Sequence, residues 1–268
     1  MAPAQYSWID LILRCMAAGG FLILLLPIAL MIPLSLEPGD ILRLPNDGLS
    51  LRWYAEYFQN DAWLASTIVS LKVALGTSAL ATILGTSAAV GMRNVAAPAR
   101  RAFMALAVSP LVLPTIVIAV AIHGTLATMH LVGSITGLIA AHTVLTLPIV
   151  LITVSTSLAG VPDELTFTAS SLGASPLKAF FTVTMPLAAR GIIAGAALAF
   201  MLSFDEVVIG MFLSGADAIT LPKRMLDGVF YEMTPMLAAV STLLVLANIL
   251  GLTVFLFTQL RATPQHAL

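Results

Sequence analysis

Residues 163–186 read Asp-Glu-Leu-Thr-Phe-Thr-Ala-Ser-Ser-Leu-Gly-Ala-Ser-Pro-Leu-Lys-Ala-Phe-Phe-Thr-Val-Thr-Met-Pro, and we call them the polar segment. Pro162 directly precedes it, and proline is favoured where a helix begins. Asp163 and Glu164 then fall in the first turn, where carboxylates complement the positive end of the helix dipole. Gly173 is expected to end this short helix.

A second helix is predicted in the polar segment directly after Gly173. Ser175 is a good N-cap residue, and Pro176 suits the first helical position. Pro186 has no amide proton to donate and is expected to end the second helix. The polar segment is therefore predicted to be two short helices that meet at a glycine.

The composition indicates a membrane protein. The chain of 268 residues is 59% hydrophobic and 9% charged, and its mean hydropathy of +1.03 lies outside the range of soluble domains. Its apolar runs are long enough to cross a hydrocarbon core of about 30 Å, which takes roughly 20 helical residues. The runs and their connections leave no room for a soluble catalytic domain, so we expect one transmembrane domain over residues 1–268.

Charge and cysteine content exclude several classes of function. The formal net charge is -1 and the pI is about 6.4, so there is no polybasic signature for nucleic acid. Cys15 is the only cysteine, which excludes an intrachain disulfide and a thiolate metal cluster. We expect neither a metal site nor a nucleic-acid partner.

Six apolar runs predict an all-α protein with six transmembrane helices. They cover residues 15–36, 62–92, 103–123, 135–158, 191–213 and 236–260. The first run is too long for a signal peptide and lacks a small-residue cleavage site, so it is expected to be retained. Residues 37–61 are predicted to be a polar loop with interfacial aromatic residues and a helix over residues 51–58.

Small residues and prolines inside these runs indicate helices that pack against protein. Gly, Ala, Ser and Thr are plentiful in the second to fifth runs and let membrane helices approach closely. Pro110, Pro114 and Pro148 release backbone carbonyls from helical hydrogen bonds. Such a defect is tolerated where neighbouring helices or a water-filled cavity satisfy the carbonyls.

The distribution of lysine and arginine predicts that both termini are cytoplasmic, with seven basic residues inside and four outside. The inner ones are Arg14, Arg93, Arg100, Arg101, Lys178, Arg190 and Arg261, and the outer ones are Arg43, Arg52, Lys223 and Arg224. The same orientation places the polar segment in the cytoplasm.

The polar segment resembles the cytoplasmic loop of the permease subunits of type I, binding-protein-dependent ABC importers. The family pattern is Glu-Ala-Ala, three residues, Gly, nine residues, Ile, one residue, Leu-Pro. Ala169, Gly173 and Pro186 agree with it, and Val183 and Met185 are conservative replacements.

The first two positions of the pattern depart from the family. Phe167 stands where the family has glutamate, and Thr168 stands where it has the first alanine. The change removes one charged contact, for which Asp163 or Glu164, one turn earlier, can substitute. We do not interpret the departure as loss of activity.

Other stretches resemble the spermidine/putrescine branch of this family, in particular its PotC-like subunits, and imply a six-helix, MetI-like permease fold in the bacterial inner membrane. They are Leu49-Ser50-Leu51-Arg52-Trp53-Tyr54, Ser70-Leu71-Lys72-Val73-Ala74, His142-Thr143-Val144-Leu145-Thr146-Leu147-Pro148 and Ser203-Phe204-Asp205-Glu206. Many polyamine permeases have an acid after the Leu-Pro of the third span, where this chain has Thr115. Polyamines therefore lead as the substrate class, with a singly charged or zwitterionic solute close behind.

The resemblance also implies partners. Within a loop over residues 159–190, the polar segment would dock as a coupling helix into a groove of a cytoplasmic ATPase. The docking residues would be Ala169, Ser170, Ser171, Leu172, Gly173, Ala174, Ser175, Pro176, Leu177 and Lys178. Two copies of the ATPase, a second PotB-like permease and a periplasmic solute-binding protein would complete the assembly, with ATP and Mg bound by the ATPase and no cofactor on this chain. From the residues alone, a simple cytoplasmic turn is equally compatible with the segment.

Two acids inside the fifth run are candidates for a translocation path or gate. Asp205 and Glu206 lie roughly 20 Å along the predicted helix, at a depth where acids normally face a cavity or a partner. Ser203 and Thr115 are further candidates for the same path. The alternative is a structural pair, in which one acid caps a broken helix or bonds Lys72 or a histidine.

Four residues are candidates for contact with the binding protein: Trp53 and Tyr54 in the first polar loop, and Tyr231 and Glu232 in the last outer loop. Aromatic anchoring at the interface and a solvated loop are the alternatives. His142 is predicted to be a packing residue with satisfied hydrogen bonds.

Two other functions compete with an ABC permease. An intramembrane serine protease would need a Ser and His pair, but the sequence has no Gly-x-Ser-x-Gly elbow and its histidines have no defined partner. A secondary transporter or channel, which needs no ATPase, is the second alternative. The sequence also has no Gly-x-x-x-x-Gly-Lys-Ser/Thr loop, so any ATP chemistry belongs to another chain.

Overall fold

A computed structural model of the chain describes residues 8–46 and 48–261, and all regular structure in these ranges is helical. This confirms the predicted all-α architecture. The helices are α1 (Trp8–Leu34), α2 (Arg52–Gln59), α3 (Asp61–Gly91), α4 (Ala97–Val108), α5 (Thr115–Thr128), α6 (Ile135–Ala159), α7 (Asp163–Ser171), α8 (Pro176–Ala179), α9 (Met185–Phe204), α10 (Val208–Leu213), α11 (Leu221–Tyr231) and α12 (Met236–Arg261).

Six apolar helical segments correspond to the six predicted spans. Four helices are each long and apolar enough to cross a membrane. They are α1 over residues 10–34, α3, α6 and the continuous helix Pro176–Phe204. The pair α4 and α5 qualifies as one broken span, and α12 is the sixth apolar helix. The first helix begins at Trp8 rather than at residue 15.

Contacts divide the chain into two compact units, residues 1–61 with 227–268, and residues 62–226. In the first unit, α12 packs against both α1 and α2. The helix α2 confirms the expected short helix near residues 51–58.

The second unit is built around α6, which contacts α4, α5, α9 and α10. Glycines permit the closest packing. A Cβ at Gly191 of α9 would lie 2.2 Å from Cβ of Ser157, and one at Gly85 of α3 would lie 2.8 Å from Cγ1 of Val150. Small residues thus let these helices approach closely, as predicted.

The predicted third span is two helices rather than one. A 3-10 turn over Ser109–Leu111 follows α4, and α5 begins at Thr115 with an axis bent by 100° from the preceding helix. Pro110 lies in that turn, and Pro114 occupies the N-cap of α5. Because proline cannot donate the hydrogen bonds that would continue α4, the apolar run breaks there.

The predicted fifth span, residues 191–213, is displaced. Its helix starts at Pro176, passes through a π-helical turn over Phe180–Thr184 and ends at Phe204. Pro186 does not end the helix, because the wider π turn, in which the Met185 amide bonds the Phe180 carbonyl, leads into α9 ahead of the proline. The remaining residues form α10 after a break at residues 205–207.

Candidate functional site

The polar segment has the predicted boundaries at Gly173 and Ser175, although not the one at Pro186. Gly173 has φ of +87°, and its amide bonds the Ser170 carbonyl at 2.9 Å while the Ala174 amide bonds the Ala169 carbonyl at 3.0 Å. This pair of bonds is the Schellman motif, which favours glycine at the left-handed position. The next helix begins at Ser175, whose Oγ accepts from the Lys178 amide at 3.3 Å.

Although the polar segment is named for its composition, it exposes three large apolar side chains. Phe167, Leu172 and Leu177 are 74%, 84% and 68% exposed. Exposed apolar side chains grouped in one short stretch mark a surface that binds another protein or a membrane. Of the predicted docking residues, Ala169 and Ala174 are half-buried and the other eight are exposed.

The serine hydroxyls of α7 are engaged within the helix. Oγ of Ser170 donates to the Thr166 carbonyl, and Oγ of Ser171 donates to the Phe167 carbonyl. They can still accept a hydrogen bond from a partner, since a hydroxyl donates once and has two lone pairs.

Arg93 connects the start of α7 to the end of α3. Its Nη2 donates to the Val161 carbonyl at 2.9 Å and forms an ion pair with Asp163. Thr166 of α7 also lies 3.4 Å, oxygen to oxygen, from buried Thr184 in the π-helical turn. The helix α7 is therefore attached to Arg93, in the turn after α3, and to the π-helical turn of the continuous helix Pro176–Phe204.

A cavity of about 180 Å³ lies where the two broken helices meet α6, and we call it the Glu206 cavity. Thr115 lines it from the first break, Ser203 and Glu206 line it from the second, and His142 and Thr146 line it from α6. Broken helices at membrane depth are tolerated where they are buried in protein or line a cavity. At about 30 Å³ per water molecule, this cavity has room for a small solute.

His142 is buried in α6 and only partly satisfied. Its Nδ1 lies 2.8 Å from Oγ of Ser203 and 3.1 Å from the Ser203 carbonyl oxygen. Since a carbonyl only accepts, its contact favours the neutral tautomer with the proton on Nδ1, in which Nε2 is an acceptor. Nε2 is buried and has no partner among the described residues, which corrects the prediction of a fully satisfied packing histidine.

Glu206 is the one charged residue in the described lining of the cavity. Its Oε1 accepts hydrogen bonds from the amides of Val208 and Ile209 at 2.7 and 3.0 Å. These amides belong to the first turn of α10, where a carboxylate is favoured. The acid therefore caps a broken helix, as one sequence alternative held, and at the same time faces the cavity.

The structure does not bring Asp205 to the cavity. It is exposed at the C-terminal end of α9, and its amide bonds the Met201 carbonyl at 3.1 Å. Thr115 and Ser203, the other predicted path residues, do line the cavity. Thr146 was not predicted, although it lies one helical turn after His142 in α6.

The predicted binding-protein contacts have different environments. Trp53 is 3% exposed, and its indole Nε1 donates to the Glu37 carbonyl at 2.9 Å, so it is a packing anchor and not a contact surface. Tyr54 is half-buried and its hydroxyl lies 2.6 Å from Oγ of Ser35. Tyr231 is 84% exposed, but it ends α11 rather than lying in a loop, and Glu232 is exposed just after it.

A family model described as "binding-protein-dependent transport system inner membrane component" matches residues 81–264, more than half of the chain. The chain belongs to this family. It is a multi-pass permease subunit of an ABC importer in the inner membrane, and members of the family work with an ATPase, a binding protein and a second permease.

Among curated relatives, the permease is 32% identical to the putrescine transport system permease protein PotI of Escherichia coli K12, over 84% of this chain and 82% of that one. It is 31% identical to the spermidine/putrescine transport system permease protein PotC of Haemophilus influenzae, over 80% and 82%. A bacterial ABC transporter involved in the import of the acidic polysaccharide alginate has the same fold. The TM-score is 0.69 at 14% identity, with 98% of this chain and 100% of that chain covered.

These relatives are transporter subunits, so the permease is not an enzyme. A serine and a histidine nevertheless meet, as His142 and Ser203, contrary to the expectation that the histidines lack a partner. In a catalytic Ser and His pair, the histidine nitrogen beside the serine accepts the hydroxyl proton. Here the nitrogen beside the serine also bonds its backbone carbonyl, and the other ring nitrogen has no described partner.

Proposed function

We propose that the permease forms half of a path for a small cation, with polyamines as the leading substrate class, and that the polar segment couples this path to ATP hydrolysis by a partner chain. The observation that carries the cation proposal is the lining of the Glu206 cavity, where one carboxylate stands with His142, whose Nε2 has no described hydrogen-bond partner. An ammonium group has three donors and no acceptor, so this lining is complementary to it.

The carboxylate of Glu206 supplies charge, while neutral oxygens complete the site. Oε1 is already held by backbone amides, which fixes the carboxylate in position. His142, Thr115 and Ser203 also line the cavity, and their side chains carry further polar atoms that can accept hydrogen bonds. One negative charge matches one amine end, so a diamine would find the partner for its second end on the other permease.

The relatives' names favour polyamines over other cations. PotI is named for putrescine and PotC for spermidine and putrescine. A singly charged or zwitterionic solute is the second substrate class, and it is favoured by Thr115 standing at the position where many polyamine permeases have an acid.

Coupling would pass through the ends of two helices. The exposed side chains of Phe167, Leu172 and Leu177 would dock into the ATPase groove. Movement of α7 would reach α3 through the Arg93 and Asp163 ion pair, and movement of α8 would reach the Glu206 cavity through the continuous helix that ends at Phe204.

In this proposal both termini and the polar segment face the cytoplasm. Two ATPase copies bind ATP and Mg, and a PotB-like chain completes the path. The binding protein delivers solute from the opposite side, where exposed Tyr231 and Glu232 are the contact candidates that the chain offers.

The substitution Glu206→Gln tests the site, with Asp205→Asn as its matched control. A hydrogen bond to a charged group contributes about 1.5–3 kcal/mol, so uptake of radiolabelled putrescine at low concentration should fall roughly 10- to 100-fold in Glu206→Gln. Basal ATP hydrolysis should be unchanged, because glutamine retains an oxygen to cap α10. Asp205→Asn, which removes the adjacent charge outside the cavity, should transport normally. Normal uptake in Glu206→Gln, or an equal loss in both variants, would contradict the site.

A further inference from the structure

A second cavity of about 490 Å³ lies beside the polar segment, within the unit of residues 62–226. Its walls come from the end of α3 and the turn that follows, the first half of α4, the end of α6 and the residues that lead into α7. Arg93, Arg100 and Arg101 line it, and we call it the arginine cavity.

The charges of the arginine cavity do not balance. Asp163 is the only acid in its described lining, and it is already paired with Arg93. The side chain of Asp163 is 88% exposed, so this carboxylate sits at the cavity's outer edge. Among the described residues, Arg101 donates to the Ala97 carbonyl at 3.4 Å, and no acid pairs with it or with Arg100, both of which are exposed. Two guanidinium groups therefore lack a counter-charge.

Arg100 and Arg101 also lie near the positive end of a helix, which adds to the unbalanced positive charge of the cavity. Arg100 and Arg101 belong to the first turns of α4, which begins at Ala97 and has no acid in its first turn. The amino end of a helix is already positive, so basic residues are unfavourable there and an anion is favoured. A negative group in the arginine cavity would interact with both the guanidinium groups and the end of the helix.

The cavity also holds an unpartnered polar atom. Oγ of Ser155, in α6, is buried and has no hydrogen-bond partner among the described residues. A buried hydroxyl without a partner is uncommon in proteins. Because Ser155 is a lining residue of the cavity, its hydroxyl is the donor that we assign to an oxygen bound there.

The rest of the lining is apolar and includes Met92, Met104 and Leu158. A cavity that combines arginines with apolar walls is suited to a phosphate group attached to a hydrocarbon chain. Basic pockets between membrane helices bind anionic lipid headgroups for this reason. We propose that the arginine cavity binds the phosphate of an anionic phospholipid through Arg100, Arg101 and Ser155.

Such a site would be linked to the polar segment. Arg93 lines the arginine cavity and contacts both Val161 and Asp163 at the start of α7. A bound phosphate would compete with Asp163 for Arg93 and so change how firmly α7 is held. This second step rests on the proposed coupling role of the polar segment, whereas binding of the phosphate does not.

Thermal unfolding of the purified full chain in detergent tests the binding. Added phosphatidylglycerol should raise the Tm of the unmodified chain by several degrees, because a ligand that binds only the folded state stabilises it. Phosphatidylcholine at the same concentration, which carries no net charge, should give a much smaller shift. In the double variant Arg100→Gln/Arg101→Gln the phosphatidylglycerol shift should disappear, while Arg52→Gln, an arginine of the other unit, should keep it.

A persistent shift in the double variant, or equal shifts with the two lipids, would overturn the site. An equal shift with inorganic phosphate alone would overturn the assignment to a lipid. Ser155→Ala serves as a second variant, since it removes a buried hydroxyl without adding bulk. It should fold normally, with an unchanged or higher Tm in phosphatidylcholine, and should show a reduced phosphatidylglycerol shift. An undiminished shift would exclude the hydroxyl from the site.

ATP hydrolysis by the assembled transporter, in nanodiscs with and without phosphatidylglycerol, tests the link to α7. We expect the anionic lipid to change the rate at least twofold in the unmodified complex and not in Arg100→Gln/Arg101→Gln. Lipid-dependent Tm shifts without any effect on hydrolysis would overturn the link to the polar segment and leave the anion site intact.

Discussion

The polar segment and the Glu206 cavity both depart from the usual distribution of side chains, in which apolar groups are buried and polar groups are exposed. The polar segment exposes Phe167, Leu172 and Leu177, whereas the cavity region buries His142 and Ser203 among transmembrane helices. Exposed apolar groups gain by docking against another surface, and buried acceptors gain by binding a donor. The difference separates a site for a protein partner from a site for a solute, and substitutions in the two regions should have separable effects.

The largest effect is expected from Leu172→Ser combined with Leu177→Ser. Loss of an interface anchor costs about 2 kcal/mol, so losing both should weaken ATPase binding roughly 1000-fold and abolish uptake. The fold of the permease should not change, because both side chains are exposed. Co-purification of the ATPase and uptake assays measure the result.

The matched control for this pair is Ile41→Ser with Leu49→Ser, which are 72% and 73% exposed in the loop before α2. It should retain the ATPase and a normal rate of hydrolysis. Full ATPase binding by the Leu172 and Leu177 variant would show that the polar segment is an ordinary turn.

A smaller effect is expected from His142→Asn in the cavity. Leaving buried groups unpaired costs about 1–3 kcal/mol, so KM for the solute should rise roughly 5- to 100-fold and the Tm should fall. His123→Asn is the control, since Nδ1 of His123 also contacts a backbone carbonyl, that of Phe212 at 2.9 Å, but the residue does not line the cavity. It should lose stability without a change in KM. Equal KM changes in the two variants would remove His142 from the solute site.

The smallest effect is expected at the ion pair that ties α7 to α3. Asp163 is largely exposed, so Asp163→Asn should lower the free energy of unfolding by less than about 1 kcal/mol. Arg93→Gln should lower the free energy of unfolding by about 1 kcal/mol more than Asp163→Asn, because Arg93 also donates to the Val161 carbonyl. Chemical unfolding at two salt concentrations measures both. A greater cost for Asp163→Asn than for Arg93→Gln would contradict the described geometry.

Local signals were sufficient to predict the first helix of the polar segment and the start of the second. The boundaries at Gly173 and Ser175 depend on a left-handed glycine and a side-chain cap, which act over three to five residues and can be read from the sequence. Family resemblance then supplied the interpretation of the segment, and the match over residues 81–264 confirmed the family.

The Glu206 cavity was only partly predictable, because its residues are distant in sequence. Thr115, Ser203 and Glu206 were candidates, but their meeting with His142 depends on two helix breaks. The break at residues 205–207 lies inside a run that is apolar almost throughout, so hydropathy extended the span to residue 213. Pro186 was predicted to end a helix, but the π-helical turn before it allows the helix to continue.

Photolabelling of the assembled transporter with a photoreactive diamine is the most direct test of the central claim that the Glu206 cavity takes a cation. Adducts mapped by peptide mass spectrometry should fall on residues 113–115, 142–146 and 202–206, and excess putrescine should suppress them. Putrescine-sensitive adducts elsewhere in the chain, with none at these positions, would contradict the account.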